Sequence, residues 1–311
     1  MRRIFAERIG GHVAEHFGLA YEMLAPPPAA QGKADVAARE EWLKRCAGIA
    51  VARDYSDFFD RWKKSFQDVS GWTGHAKAES RLLIGHGNAS GAEIGLTVHR
   101  TWGVPVLPGS ALKGLLAHYI DAVYGGNDTG DATRAPWQGP VWEGQKLVRP
   151  PGAGFAALFG TTLAEPDAEN KQLGAGLVTF HDALYEPESI KDNRPFARDV
   201  LTVHQKSYYD HQNSSRPEPA PWPTDWDDPV PVGFITVRPG AEFLLALTGP
   251  QEWCTCARDL LERALAEWGV GGKTSAGYGR LSFIPTPAAA APTRNAPRTQ
   301  TPAGQRPARR K

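Results

Sequence analysis

The segment Trp268-Gly-Val-Gly-Gly-Lys-Thr-Ser-Ala-Gly-Tyr-Gly-Arg-Leu281 concentrates residue types that handle phosphate. Gly269, Gly271, Gly272, Gly277 and Gly279 surround one lysine, one tyrosine and one arginine. Glycine admits positive φ and leaves backbone N–H groups uncovered. A concave row of such amides can cradle an anion. Lys273 and Arg280 add positive charge, and Tyr278 offers a ring on which an unpaired base could stack. The combination points to nucleic acid, RNA in particular. The plainer alternative is a glycine-rich connection that only turns the chain from helix to strand.

A nucleotide-binding P-loop fits these residues less well. Gly272-Lys273-Thr274 resembles the end of that motif, but the position that must carry its first glycine holds Glu267. The context is also reversed. Residues 253–268 read as a helix entering the glycines and residues 278–284 as a strand leaving them, whereas a P-loop runs from strand to helix.

A second candidate is Pro108-Gly-Ser-Ala-Leu-Lys-Gly114. Pro108-Gly109 ends an extended segment, Ser110 is placed to cap a helix, and Leu112, Leu115, Leu116, Tyr119, Ile120 and Val123 form its apolar side. Lys113 falls in the first turn, where the helix dipole disfavours a cation that lacks an anionic partner. A phosphate held by Ser110, Lys113 and the free N-terminal amides would supply one. An ordinary exposed lysine is the competing explanation.

These segments sit on an alternating framework. Residues 35–50 and 55–66 carry Trp42, Leu43, Phe58, Phe59, Trp62 and Phe66 at helical spacing, a core pattern. Residues 80–85 read as a strand, then comes the helix after Ser110, then a strand at 177–180. Residues 233–237 and 241–247 read as paired strands joined at Pro239-Gly240. The closing helix, glycine loop and last strand complete a β-α-β-β-α-β order, the α+β ferredoxin-like arrangement used by RNA-recognition domains. The expected organisation is a helical region over 1–78, a folded domain over 79–284 interrupted at about 125–173 and 184–231, and a tail over 285–311.

Composition bounds the function. The 311 residues can bury a substantial core, while 33 glycines and 26 prolines imply many loops. No apolar run reaches the length of a membrane span, and the N-terminus lacks a signal-peptide core. Cys46, Cys254 and Cys256 suit a reducing cytosol, and Cys254-Thr-Cys256 has no second pair to complete a zinc site, so neither metal nor cofactor is expected. Of 35 basic residues, Arg294, Arg298, Arg306, Arg309, Arg310 and Lys311 lie in the Pro/Ala-rich tail, which contains no acid. Without them 29 basic residues face 34 acidic ones, a body of about −5. An RNA site on such a body is a local basic groove, and a tail without large apolar side chains reads as disordered.

The two glycine-bearing motifs resemble the RAMP superfamily of CRISPR proteins. Gly95-Leu-Thr-Val-His99, Gly103-Val-Pro105, Phe180-His-Asp-Ala183, and Asp199-Val-Leu-Thr-Val-His204 with Tyr208-Tyr209 extend the match. In order, they resemble the family of sixth subunits of the type III-B (Cmr) RNA-guided effector. The resemblance implies a non-catalytic, cytoplasmic structural subunit near the guide 3′ end. It would hold crRNA by its backbone, meet target RNA through the guide duplex, and contact other Cmr subunits. The RNA-binding positions it implies are Ser110, Lys113, Gly271, Gly272, Lys273, Thr274, Ser275, Tyr278 and Arg280.

Some RAMP members cleave RNA, so the alternative is a metal-independent endoribonuclease that processes guide RNA. That chemistry needs a general base for the 2′-hydroxyl and an acid for the leaving oxygen. His204 and Tyr208, with Tyr209 and His211 nearby, are the candidates. His86 and His99 flank the loop after residues 80–85. Related subunits that cut target RNA use an aspartate in that loop, where this chain offers Glu93. Glutamate reaches further and need not hold the same geometry, so the departure favours no cleavage. His181-Asp182 is too small a constellation for a catalytic dyad.

Overall fold

A computed structural model describes residues 15–26, 33–90, 92, 94–126, 135–144, 146–161, 174–203, 208, 211, 222 and 230–285. Three helices open it: α1 (Phe17–Met23), α2 (Lys33–Ala47) and α3 (Tyr55–Lys64). The helical spacing read from the sequence does bury its apolar stripe, since Trp42, Leu43 and Phe59 are almost fully enclosed. Strand β1 (Gly71–Ala78) follows, then β2 (Val106–Leu107) and α4 (Gly109–Ile120). A ribbon of β3 (Val141–Glu143) and β4 (Lys146–Arg149) leads to α5 (Ala153–Phe159). Next come β5 (Thr179–Phe180), β6 (Ala183–Tyr185), β7 (Phe196–Val203), β8 (Val230–Val237) and β9 (Glu242–Thr248). Helix α6 (Gln251–Glu267) and β10 (Leu281–Ile284) close the described chain.

The main sheet runs β10-β1-β9-β6-β2, with β5 pairing β9 ahead of β6, and every pairing is antiparallel. In β9 five consecutive residues, 243–247, are buried. Successive strand residues point to opposite faces, so this sheet is covered on both. Helix α6 packs over β1, β9 and β10, and α4 lies beside α6 and against β5. From α3, Tyr55 reaches β6, its hydroxyl donating to the Tyr185 carbonyl at 2.7 Å. Phe196, Phe17, Tyr21 and Trp42 stack in that order, tying α1 and α2 to β7 within the same hydrophobic cluster as the sheet.

The structure departs from the sequence expectation in three places. The first strand is Gly71–Ala78, inside the stretch expected to be helical, while residues 80–85 form only a bridge between Leu82 and Val237. Glycine, alanine and lysine are poor strand formers, and β1 exists because β9 and β10 pair with it on either side. Strands β8 and β9 do not form a hairpin. All eight residues of β8 pair with β7, which arises in the stretch expected to be irregular, and the chain changes sheets at Pro239-Gly240. Finally, Ser110 is not the cap of α4. The helix begins at Gly109, whose N–H donates to Asp182 Oδ1 at 2.7 Å.

Candidate nucleic-acid interface

The glycine loop is a backbone crossing before it is anything else. Val270 N–H donates to the Gly279 carbonyl (2.9 Å), Gly279 N–H to the Arg81 carbonyl (2.8 Å), and Gly272 N–H to the Leu83 carbonyl (2.7 Å). Two glycines make the crossing possible. At Gly279 (φ +83°) a Cβ would sit 2.3 Å from the Val270 carbonyl oxygen, and at Gly271 (φ +92°) 2.6 Å from that of Leu83. Residues 80–85, expected as a strand, thus serve as the rail on which the loop is laid.

This crossing consumes much of the expected anion cradle. The amides of Gly269, Val270, Gly272, Ala276, Gly277, Tyr278, Gly279 and Arg280 all have acceptors within the fold. Those of Gly271, Lys273, Thr274 and Ser275 have none among the described residues. Lys273 stands in the left-handed region (φ 59°, ψ 31°), a conformation costing a non-glycine residue about 1 kcal/mol. It makes no ion pair among the described residues. Residues held in sparsely populated backbone conformations cluster at active sites and ligand clamps. His86 lies against Gly272, where a Cβ would stand 3.1 Å from that of His86. His86 Nδ1 and Arg280 Nη1 are buried without a hydrogen-bond partner among the described residues.

Tyr278 is committed differently. Its ring packs on the core, and its hydroxyl donates to Asp199 Oδ2 on β7 at 2.7 Å. Arg81 Nε approaches the same oxygen at 3.4 Å. Burial, then the bond to Asp199, pushes the Tyr278 phenol up to about 12. A phenol held this way braces the loop against β7.

At the start of α4, Ser110 is exposed and Lys113 half-buried. Both line an open pocket of about 330 Å³ with Phe159, Val178 and Thr179. The Asp182 carboxylate already occupies the Gly109 amide, the first of the helix start. On the neighbouring side of α4, Ala111 and Leu115 share a second pocket with Trp268, Gly269, Val270, Gly271 and Thr274. The two sequence motifs therefore meet across that pocket.

Two of the other chemical candidates are engaged within the fold. Asp182 is spent on the α4 amide, and His181 Nε2 is 2.8 Å from Thr248 Oγ1. Burial lowers the basicity of both His181 and His99, against a smaller opposing pull from Asp182. Tyr208 and His211 are half-buried, whereas His204, Tyr209 and Glu93 lie outside the described residues.

Against known proteins, the model of the RAMP superfamily matches residues 75–282. The chain belongs to the RAMP superfamily. The matched span runs from β1 into β10 and takes in α4, α6 and the glycine loop, while α1–α3 precede it. This RAMP chain is 32% identical over 262 residues to the CRISPR system Cmr subunit Cmr6 of Pyrococcus furiosus, covering 72% of this chain and 73% of that protein. In three dimensions it is similar to a chain of the type III-B Cmr-beta complex bound to cognate target RNA. That match has a TM-score of 0.54 and 18% identity, and covers 91% of this chain and 87% of the other. The crystal structure of Cmr6 from Pyrococcus furiosus gives 27% identity and a TM-score of 0.39, covering 70% of this chain and 99% of that one.

Sequence reasoning missed Asp182 as the cap of α4, Asp199 as the brace of Tyr278, and Trp268 as a pocket wall. Asp182 and Asp199 stood within quoted motifs, but nothing local shows that a carboxylate reaches 73 or 79 residues along the chain. Trp268 ended a predicted helix, and its 37% exposure is a tertiary property.

Proposed function

We propose that this chain is a non-catalytic crRNA-binding subunit of a type III-B CRISPR ribonucleoprotein effector. It sits near the guide 3′ end and supports RNA-guided interference with target RNA in antiviral defence, in the cytoplasm. The observation that carries the RNA-binding role is the cluster of four amides, of Gly271, Lys273, Thr274 and Ser275, that have no partner among the described residues, around a strained lysine with no ion pair among them. Amides and a point charge recognise phosphate without reading sequence, which suits a guide whose sequence is read by base pairing. Likeness to a protein named as a Cmr subunit supports assembly with other Cmr subunits. The same reading takes the sheet as a ferredoxin-like β-α-β-β-α-β core. Its support is the order β10-β1-β9-β6, with α4 and α6 as the two crossovers.

The absence of catalysis is part of the proposal. It is supported by the engagement of Asp182 and His181 in structural hydrogen bonds. The test is purification of the tagged full-length chain from its native cell, with mass spectrometry of partners and sequencing of bound RNA. Other Cmr subunits with guides of defined 3′ ends are the expected recovery. The chain alone and free of RNA overturns the reading, and the chain with unprocessed repeat RNA replaces it with a guide-processing endoribonuclease, to be checked by His204→Ala and Tyr208→Phe.

A further inference from the structure

The pocket between α4 and the glycine loop has a composition unlike the phosphate site beside it. Its volume is about 270 Å³, and Ala111, Leu115, Trp268 and Val270 supply apolar surface. Gly271 and Thr274, which also line it, are two of the four residues whose amides have no partner among the described residues. Trp268 is 37% exposed. Its indole is held edge-on against Tyr119, with ring centroids 5.3 Å apart. Tyr119 is itself anchored by its hydroxyl donating to Glu267 Oε2 at 2.9 Å. An exposed aromatic wall fixed by a hydrogen-bonded neighbour loses little freedom when it receives a second ring.

We propose that this pocket is a nucleobase subsite, in which Trp268 takes one unpaired base of the RNA whose phosphates lie on the amides of residues 271–275. This rests on the RNA-gripping reading of the glycine loop and adds the class of group bound beside it. The occupant follows from continuity. In single-stranded RNA a base hangs from the sugar next to each phosphate, so an apolar cleft opening onto a phosphate site meets a base before any other apolar group. Stacking on an aromatic ring is tolerant of sequence, because every base has a π-face. Thr274 lines the cleft, and a threonine hydroxyl can donate to or accept from a base edge. The subsite thus adds affinity for unpaired over duplexed nucleotides without adding a sequence preference.

The test uses the full chain and two probes of equal length and charge, an oligouridylate and the corresponding ribose-phosphate oligomer without bases. Wild type is expected to bind the base-bearing probe about tenfold more tightly, the scale of one aromatic–base stack. Trp268→Ala should bind the two probes equally, with an unchanged salt slope, and Trp268→Phe should keep part of the preference. Ala111→Leu fills the cleft from α4 without touching the indole and should also remove the preference, which guards against misfolding of the tryptophan variant. A wild type without preference overturns the subsite, as does a preference that survives Trp268→Ala and Ala111→Leu. Failure of the underlying reading looks different: Lys273→Ala would then leave the affinity for both probes, and its salt dependence, where they were.

Discussion

The start of α4 and the glycine loop looked alike as anion sites, each pairing backbone amides with one lysine, and the fold treats them in opposite ways. At α4 the first amide is filled by Asp182, a carboxylate supplied from the β5–β6 turn. In the loop, four amides around Lys273 find no partner among the described residues. A helix N-terminus attracts negative charge whether it comes from a ligand or from the protein's own chain. A free anion site is therefore recognised by what the rest of the chain leaves unoccupied.

The largest expected effect separates Gly109, at the start of α4, from Gly277, at the open tip of the glycine loop. A Cβ on Gly109 would stand 2.2 Å from the Phe180 carbonyl oxygen, which a helix start locked to a sheet cannot avoid. Gly109→Val should cost about 3 kcal/mol or more in urea unfolding, as overpacked core positions do. Gly277 has φ +90° and open space around it. Gly277→Ala should cost only about 1–2 kcal/mol, the left-handed penalty alone. Equal costs would mean that sterics do not distinguish these two positions.

Next in size is RNA affinity. Lys273→Ala should weaken binding of single-stranded RNA about tenfold near 50 mM salt and reduce the slope of log K against log salt by about 1. Lys113→Ala should change affinity by about twofold at most, since the amide nearest its helix start is already taken. A larger loss at Lys113 than at Lys273 would invert the comparison. Lys273→Gly adds a control, because it removes the charge while relieving the left-handed strain, so affinity should fall without loss of thermal stability.

Asp182→Ala sharpens the contrast from the other side. Losing the cap should cost about 1 kcal/mol of stability. RNA affinity should hold or rise, because a negative charge leaves and the Gly109 amide is freed. A drop in affinity with stability intact would assign Asp182 to the binding surface instead.

The smallest effect concerns the brace between the loop and β7. The Tyr278 phenol is raised from an ordinary 10 to about 12, so the folded state holds its proton where the unfolded state releases it. This contribution to stability is complete below pH 10 and is lost as pH climbs to about 12. Burial also raises Tyr55, Tyr119 and Tyr185, so wild type must be compared with Asp199→Ala. The variant should lose stability less steeply over that window, and its ultraviolet phenolate titration should shift one tyrosine toward 10. Superimposable curves would show that Asp199 does not hold the phenol.

Much of the fold was legible because its signals are local. The helical stripes around Trp42 and Phe59, the α4 face of Leu112 and Leu116, and the helix running into the glycines all follow from periodicity. Strand β1 was not legible, because Gly71–Ala78 owes its conformation to two neighbours rather than to propensity. The β8–β9 turn was read correctly as a turn at Pro239-Gly240. Whether the flanking strands pair or part depends on β7, which lies outside the turn.

For the site the division is the same. Residue types and spacing alone determined that glycines, a lysine and an arginine would gather between a helix and a strand, and the resemblance of two such motifs to a known family pointed to a RAMP framework. Only the tertiary structure decided which amides remain available, that Tyr278 serves Asp199, that Asp182 closes the helix start, and that Trp268 faces a cleft shared by both motifs. Propensity and periodicity act over a few residues, so one chain segment carries them. Hydrogen-bond satisfaction and exposure are set by groups tens to hundreds of residues away, and exist only once the chain has brought them together.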